Sequence, residues 1–468
     1  MPAASSLGLS HSLDSTSAFS NIRAHRHLIV LGSILLLALI VRVVWISNVQ
    51  PDPRDGRFDD SVWYYGAAQH LAQGDGYVYP IDTFCEQRTD EACQGRWEPG
   101  QKLEPTALWA PGYPLLLAAL FRLPGDDVAA ARVVNVLAGL ALIAGVYYLA
   151  SRLWNKTAGF FAAVAIAFFP SHIYFSSLLL SESVFVAAAV LLLSLALAWT
   201  LDESTTRWRV FVLGVLAGCV GMLRPEGAFI VLAIIATWVA MRRSWRQVGM
   251  YTGLLLLGMA VLYVPWTVRN MVQLDAPVIG TTGLGQVLIQ GHNPDAGGRP
   301  DLYAVTQLWD KYRDVPFPER ELRINNEGIS ESIDYAFHHI PRELSLIPHR
   351  LAWFFRGDDT VVFWLQNAPP DHARPFSSAW EGRLESIANV YYYGVVGIMV
   401  LGLPFWLLRT RRQHTIIWGP FAVYVAMWGL FFVGEARYHL PLLPLFCILA
   451  GIGLAAMFER AKSVRSSS

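Results

Sequence analysis

The stretch LIVLGSILLLALIVRVVWI, residues 28–46, decides the fold class. A helix over such a run rises far enough to cross about 30 Å of hydrocarbon, and a soluble core helix seldom needs the length. Its basic flank, Arg23 and Arg26, follows a Ser-rich start that reads as a disordered tail. A cleaved signal peptide fits poorly, because the apolar run is too long for an h-region and no small-x-small site follows. It is read as an uncleaved first span.

Working outward, similar runs recur at about 128–150, 159–179, 183–200, 209–223, 227–241, 249–266, 386–408, 415–433 and 438–458. The expected fold class is therefore an all-α polytopic membrane protein with about ten transmembrane helices. Two large polar loops carry interfacial helices and small irregular elements. Composition agrees: 54% of the 468 residues are hydrophobic and 15% charged, against about 25% charged in soluble domains. The net charge of zero offers no basic surface for nucleic acid. The chain divides into a tail (1–27), a membrane module (28–266) with a first loop (47–127), a large second loop region (267–385), C-terminal spans (386–458) and a second tail (459–468).

Orientation follows from lysine and arginine in the short loops. One set of connections is basic throughout: Arg152 and Lys156; Arg207 and Arg209; Arg242, Arg243 and Arg246; Arg409, Arg411 and Arg412; and the tail with Arg460, Lys462 and Arg465. The opposite set, LSES, LRPEG and GEARYH, mixes Glu with at most one Arg each. The first set is expected in the cytoplasm together with both termini. Both long loops then lie outside, and the protein is an integral inner or plasma membrane protein.

The first loop holds FDDSVWYYGAAQHLAQGDGY, where Asp60 and Ser61 suit a helix start, Trp63, Tyr64, Ala67, Ala68 and Leu71 recur at helical spacing, and Gly74 suits its end. PGYPLLLAALFRLPG is too short to span and reads as an interfacial helix. In the second loop an amphipathic region around 329–355 places Trp353, Phe354 and Phe355 at the interface. Cys85 and Cys93, eight positions apart in the first loop, suit a local disulfide in an oxidising compartment. Cys219 and Cys447 lie in apolar runs and read as packing residues.

The ionisable residues gather on the outer side. Asp59 and Asp60 can serve as a general base or hold a divalent cation, magnesium or manganese, or Asp60 can simply cap a helix. Glu182 sits at a depth where an unpartnered carboxylate is costly, which makes it a functional candidate against the plainer reading of a helix-start Glu. Arg224 and Glu226 read as a local ion pair, and Arg269 as a snorkelling side chain. Arg437, beside Glu435, Tyr438 and His439, opposes the positive-inside bias and suits a bidentate grip on phosphate.

With these residues placed, the chain resembles the GT-C class of polyprenol-phosphate-sugar-dependent glycosyltransferases. It looks most like the bacterial branch related to protein O-mannosyltransferases and the lipid A aminoarabinose transferase. Six blocks in order carry the resemblance: DDSVWYYGAAQHLAQGDGY, PTALWAPGYPLLLAAL, FPSHIYFSSLLLSESVF, GMLRPEG, VPWTVRN with TTGLGQVLIQGHNPDAGG, and RYHLPLLPLFCILAGIGL. In that class the catalytic acid has an aromatic four residues on and a small residue eight on. Asp60 has Tyr64 and Ala68 there, which favours it over Asp59, although many members have Asp-Glu where this chain has Asp-Asp. The resemblance implies an inverting transfer from a polyprenyl-phosphate sugar to a hydroxyl of an envelope lipid, polysaccharide or protein. Asp60 would be the base, Glu182 a supporting acid, and Arg437 the partner of the donor phosphate, with Tyr438 and His439 beside it. Arg269 and Arg224 match recurrent positions. Two other classes compete: a transporter or flippase of a lipid-linked precursor, which would show broken helices or repeats, and a non-catalytic envelope subunit.

Overall fold

A computed structural model describes residues 15–55, 59–82, 102–200, 205–367, 375–409 and 411–467. Cys85 and Cys93, and with them the expected disulfide, lie outside these residues. Among the described residues the chain is helical, with no strand and a single isolated bridge, Val78 to Pro105.

The helices are α1 (Ser15–Asn48), α2 (Asp60–Gln73), α3 (Gly112–Phe121), α4 (Asp127–Leu153), α5 (Lys156–Ala167) and α6 (Pro170–Tyr174). They continue as α7 (Glu182–Thr200), α8 (Arg207–Leu223), α9 (Ile230–Ala240), α10 (Trp245–Gln273), α11 (Leu284–Ile289) and α12 (Leu302–Lys311). The last six are α13 (Glu319–His338), α14 (Ile340–Phe354), α15 (Thr360–Gln366), α16 (Ser378–Leu407), α17 (Thr415–Ala426) and α18 (Leu443–Ser467).

Every one of the ten expected spans is helical, but among the described residues seven helices are long and apolar enough to cross a membrane alone, or eight if one bent pair is a single span. The bent pair is α5 with Pro170–Ser177, broken by 58°. Proline cannot supply an amide to continue α5, and Arg42 Nη1 donates to the carbonyl of Ala167 at the end of that helix at 2.9 Å. The other two, α8 and the run Pro225–Ala240, fall short of the length a crossing normally requires. Helix α1 begins at Ser15, ahead of the apolar run that starts at Leu28.

The lipid-facing surface is legible in exposed apolar side chains that no soluble protein would leave in rows, such as Leu36, Leu37, Ile40, Val43 and Val44 on α1 and Leu257, Val261, Val264 and Val268 on α10. The core lies where α18 packs against α4, α5 and α16, with α7 beside α4. Close approach there uses glycine: a Cβ at Gly214 on α8 would stand 2.1 Å from the Leu255 carbonyl of α10, the small-residue contact that membrane helices favour.

The second loop region is a helical cap, α11 to α15. Its amphipathic region breaks at His339 into α13 and α14. Phe354 departs from expectation: it is fully buried beneath His439 rather than interfacial, its carbonyl accepting from His439 Nδ1.

Candidate active site

Helix α2 positions the two aspartates differently. Asp59 has extended backbone (φ −150°, ψ 173°) and caps the helix, its carboxylate accepting from the Ser61 amide at 2.9 Å and from the Ser61 hydroxyl. The cap therefore falls to Asp59 and not, as the plainer reading of Asp60 has it, to Asp60, which opens the first turn with its side chain one-third exposed. Gly74 ends α2 at φ 98°, a left-handed conformation open to glycine at no steric cost.

Asp60 faces the extremity of three distant segments. Arg437, in the 3-10 turn Ala436–Leu442 that leads into α18, donates from Nη2 to Asp60 Oδ2 at 2.9 Å and from Nε to Glu182 Oε1 at 2.5 Å. Glu182, the first residue of α7, also takes Arg224 Nη1 on the same oxygen at 3.0 Å. Arg224, at the turn between α8 and Pro225, donates from Nε to Glu226 at 2.5 Å and from Nη1 to Ser181 Oγ at 3.3 Å. Tyr64, one turn beyond Asp60, brings its hydroxyl to 3.4 Å from the same Ser181 Oγ. The result is a chain of alternating charge: Asp60, Arg437, Glu182, Arg224, Glu226.

Burial makes the pairing obligatory. Glu182 and Arg437 side chains are 4% and 8% exposed, and a charge taken from water at such a place is tolerated only with partners in good geometry. The network is not closed, however. Glu182 Oε2 is buried with no hydrogen-bond partner among the described residues. Arg437 commits Nε and Nη2 to carboxylates, while its guanidinium carbon stands 4.3 Å from the centre of the Trp364 ring on α15. The site therefore joins an accessible carboxylate to a positioned guanidinium, the two groups an acyl or glycosyl transfer from phosphate requires.

The remaining candidates lie elsewhere. Arg269 holds the first loop, donating to the carbonyls of Thr106 at 2.7 Å and Tyr77 at 2.5 Å. His439 is fully buried, its Nε2 3.3 Å from Asp358 Oδ1 and its ring stacked on Tyr392. Tyr438 stacks on Trp428 with ring centres 3.9 Å apart. Among the described residues none of these three hydrogen-bonds Asp60. Of the two aspartates expected to be able to hold a divalent cation, one Asp59 oxygen serves the helix cap and one Asp60 oxygen serves Arg437. No group of three or more His, Cys, Asp or Glu among the described residues is arranged as metal ligands.

Two contributors escape the sequence reading. Trp364 lies in a short helix without a distinguishing motif. Glu321, buried on α13, accepts from Thr106 Oγ1 at 2.5 Å, the Ala107 amide at 2.9 Å and the Thr282 hydroxyl. It does carry a signal, for Glu321, Ile324, Gly328 and Ser332 form one buried stripe, and a carboxylate on such a stripe demands partners.

Residues 108–267 match the sequence model of the dolichyl-phosphate-mannose-protein mannosyltransferase family. No curated protein matches the chain as a whole sequence. Among solved structures, the archaeal oligosaccharyltransferase AglB from Archaeoglobus fulgidus, in complex with an inhibitory peptide and a dolichol-phosphate, is similar over 95% of this chain and 52% of its own, with TM-score 0.52 and 13% identity. The apo form of the Archaeoglobus fulgidus oligosaccharyltransferase is similar over 94% and 52%, with TM-score 0.53 and 15% identity. ArnT from Cupriavidus metallidurans bound to undecaprenyl phosphate covers 91% of this chain and 78% of its own at TM-score 0.43 and 14% identity, too loose a superposition to argue from. The chain spans about half the length of the archaeal enzymes. It has their fold, and the blocks at 169–185 and 221–227 fall inside the stretch that matches the mannosyltransferase family.

Proposed function

We propose that the protein is a membrane glycosyltransferase that moves a sugar from a polyprenyl-phosphate donor to a hydroxyl of an envelope acceptor on the extracytoplasmic face. The observation that carries this reading is the convergence of Asp60 and Glu182 on Arg437, across 377 and 255 positions of sequence. The family match supports it, since it covers the segment bearing Glu182 and Arg224.

In this mechanism the acceptor hydroxyl gives its proton to Asp60 Oδ2 as its oxygen attacks the anomeric carbon. The bond from that carbon to the phosphate oxygen breaks, and the lipid phosphate departs with the electron pair and inverted configuration is left behind. A departing phosphate needs a cation more than an acid. Arg437 Nη1, outside the two carboxylate contacts, supplies one, while Glu182, itself paired with Arg224, holds its guanidinium in place. A phosphate on Arg437 also competes with Asp60 for it and so releases Asp60 to accept the proton.

The test replaces Asp60 with Asn and follows transfer of radiolabelled sugar in membranes. Transfer should fall by a factor of about 100 or more, as for loss of a general base, with expression unchanged. An active Asp60→Asn variant would remove Asp60 from this role. A transporter reading can point, among the described residues, to the break between Ala167 and Pro170, and a label that reaches the acceptor covalently separates the two.

A further inference from the structure

On α2 the first two turns bury every side chain from Ser61 to Ala68 except Trp63, which is partly exposed like Asp60. Positions three apart share a helix face, so the indole stands one turn from the carboxylate. It does not stand alone. Its ring centre lies 5.3 Å from that of Trp109, nearly parallel at 21°, and 5.0 Å from Tyr79. Tyr79 in turn lies 4.5 Å from Phe317 and 6.4 Å from Trp309. All five rings are partly exposed.

Four separate pieces of chain build this wall, and polar contacts fix it. The Val78–Pro105 bridge sets Tyr79 beside the Trp109 strip, with the Tyr79 amide on the Glu104 carbonyl at 2.9 Å. The Tyr77 hydroxyl donates to the Trp109 carbonyl at 3.1 Å, and Trp309 Nε1 to Gln286 Oε1 at 3.1 Å. Glu321 joins the 106–107 segment to Thr282 of the second loop. A mere lipid belt would not require such pinning.

Resting on the reading of Asp60 as base, we infer that this wall is the acceptor subsite and that the acceptor is a glycan, its terminal pyranose stacked on Trp63 and Trp109. Aromatic faces carry negative charge density and attract the electropositive C–H face of a pyranose. That stacking turns the sugar's hydroxyls to the rim, where Asp60 is the acceptor nearest Trp63 along α2. A lipid acceptor would gain nothing from the rigid polar ties.

The experiment uses the full chain in nanodiscs without donor and probes mannotriose, maltotriose and N-acetylchitotriose by saturation-transfer NMR. At least one trisaccharide should receive saturation through its C–H protons. Trp63→Ala and Trp109→Ala should weaken it about tenfold or more, as for loss of a Trp anchor, while Trp63→Phe retains most binding. No binding by any of the three overturns the inference, as does unchanged binding in the folded Trp109→Ala variant. So does a threonine hexapeptide, or vesicles of phosphatidylethanolamine, competing for the wall in a Trp63-dependent way. The binding assay contains no donor, so its failure and an active Asp60→Asn enzyme are separate results.

Discussion

Glu182 is one carboxylate serving two guanidiniums, and that sharing sets what its loss should do. Glu182→Gln keeps the shape and removes the charge that Arg437 and Arg224 both need. Stripping one member from a buried ion pair costs about 3–5 kcal/mol, so unfolding in detergent should come at visibly lower temperature, and transfer should be lost with it. Arg437→Lys separates geometry from charge. An ammonium cannot reach Asp60 and Glu182 together as the planar fork does, so transfer should drop by about 2–3 kcal/mol of barrier, roughly 30- to 150-fold. A fully active Arg437→Lys enzyme would leave the fork without a role. The sequence already marked these residues as unusual, because a carboxylate at the mouth of a span and an arginine on the outer side are both costly. It could not show that they meet, since pairing across 255 positions is a property of packed helices. The assignment of the cap to Asp59 was equally hidden, for either aspartate can cap and only the backbone turn at Asp59 decides.

At the scale of elements, the first and second loops are joined by Glu321, and the joint is sensitive to pH. Burial raises the Glu321 carboxyl above its ordinary 4.5, although Thr106, Thr282 and the Ala107 amide all pull the other way. The folded protein thus binds this proton more tightly than the unfolded chain. The contribution of Glu321 is full below about pH 4.5 and is lost as pH rises through the raised folded value. Glu321→Gln cannot titrate. The stability difference, wild type minus variant, should therefore shrink between pH 4 and pH 8 in thermal unfolding, and a difference that grows would contradict the assignment. Spans were the elements most legible in the sequence, because an apolar run of sufficient length admits few alternatives. The bend at Pro170 was less so: proline announced a break, while Arg42 answering the Ala167 carbonyl depends on a helix far away. The aromatic wall was least legible, since Trp63, Tyr79, Trp109 and Phe317 lie on separate segments with no shared period.

For the whole molecule, polar contacts sort the bundle into two ends. At one end Asn155 donates to Glu459 at 2.6 Å, Arg409 pairs with Glu459 at 3.3 Å, Arg243 reaches the Thr200 carbonyl at 2.9 Å, and His414 meets the Leu153 carbonyl at 3.2 Å. The first two join basic connections to the C-terminal helix, and the last two join basic connections to the ends of α7 and α4. At the other end Arg437, Glu182, Arg224 and Asp60 join the acidic connections. Lysine and arginine are retained in the cytoplasm during insertion, so the basic end should face inward and the acidic end outward. A single cysteine reports each side. In a chain whose Cys85, Cys93, Cys219 and Cys447 are replaced by serine, Phe337→Cys on α13 and Trp245→Cys at the start of α10 are both well exposed, the parent side chains being 74% and 78% accessible. A membrane-impermeant maleimide on intact cells should label Phe337→Cys and spare Trp245→Cys, and permeabilised cells should label both. The reverse pattern would put Asp60 in the cytoplasm, where an envelope acceptor could not reach it, and the extracytoplasmic reaction would fall with the topology.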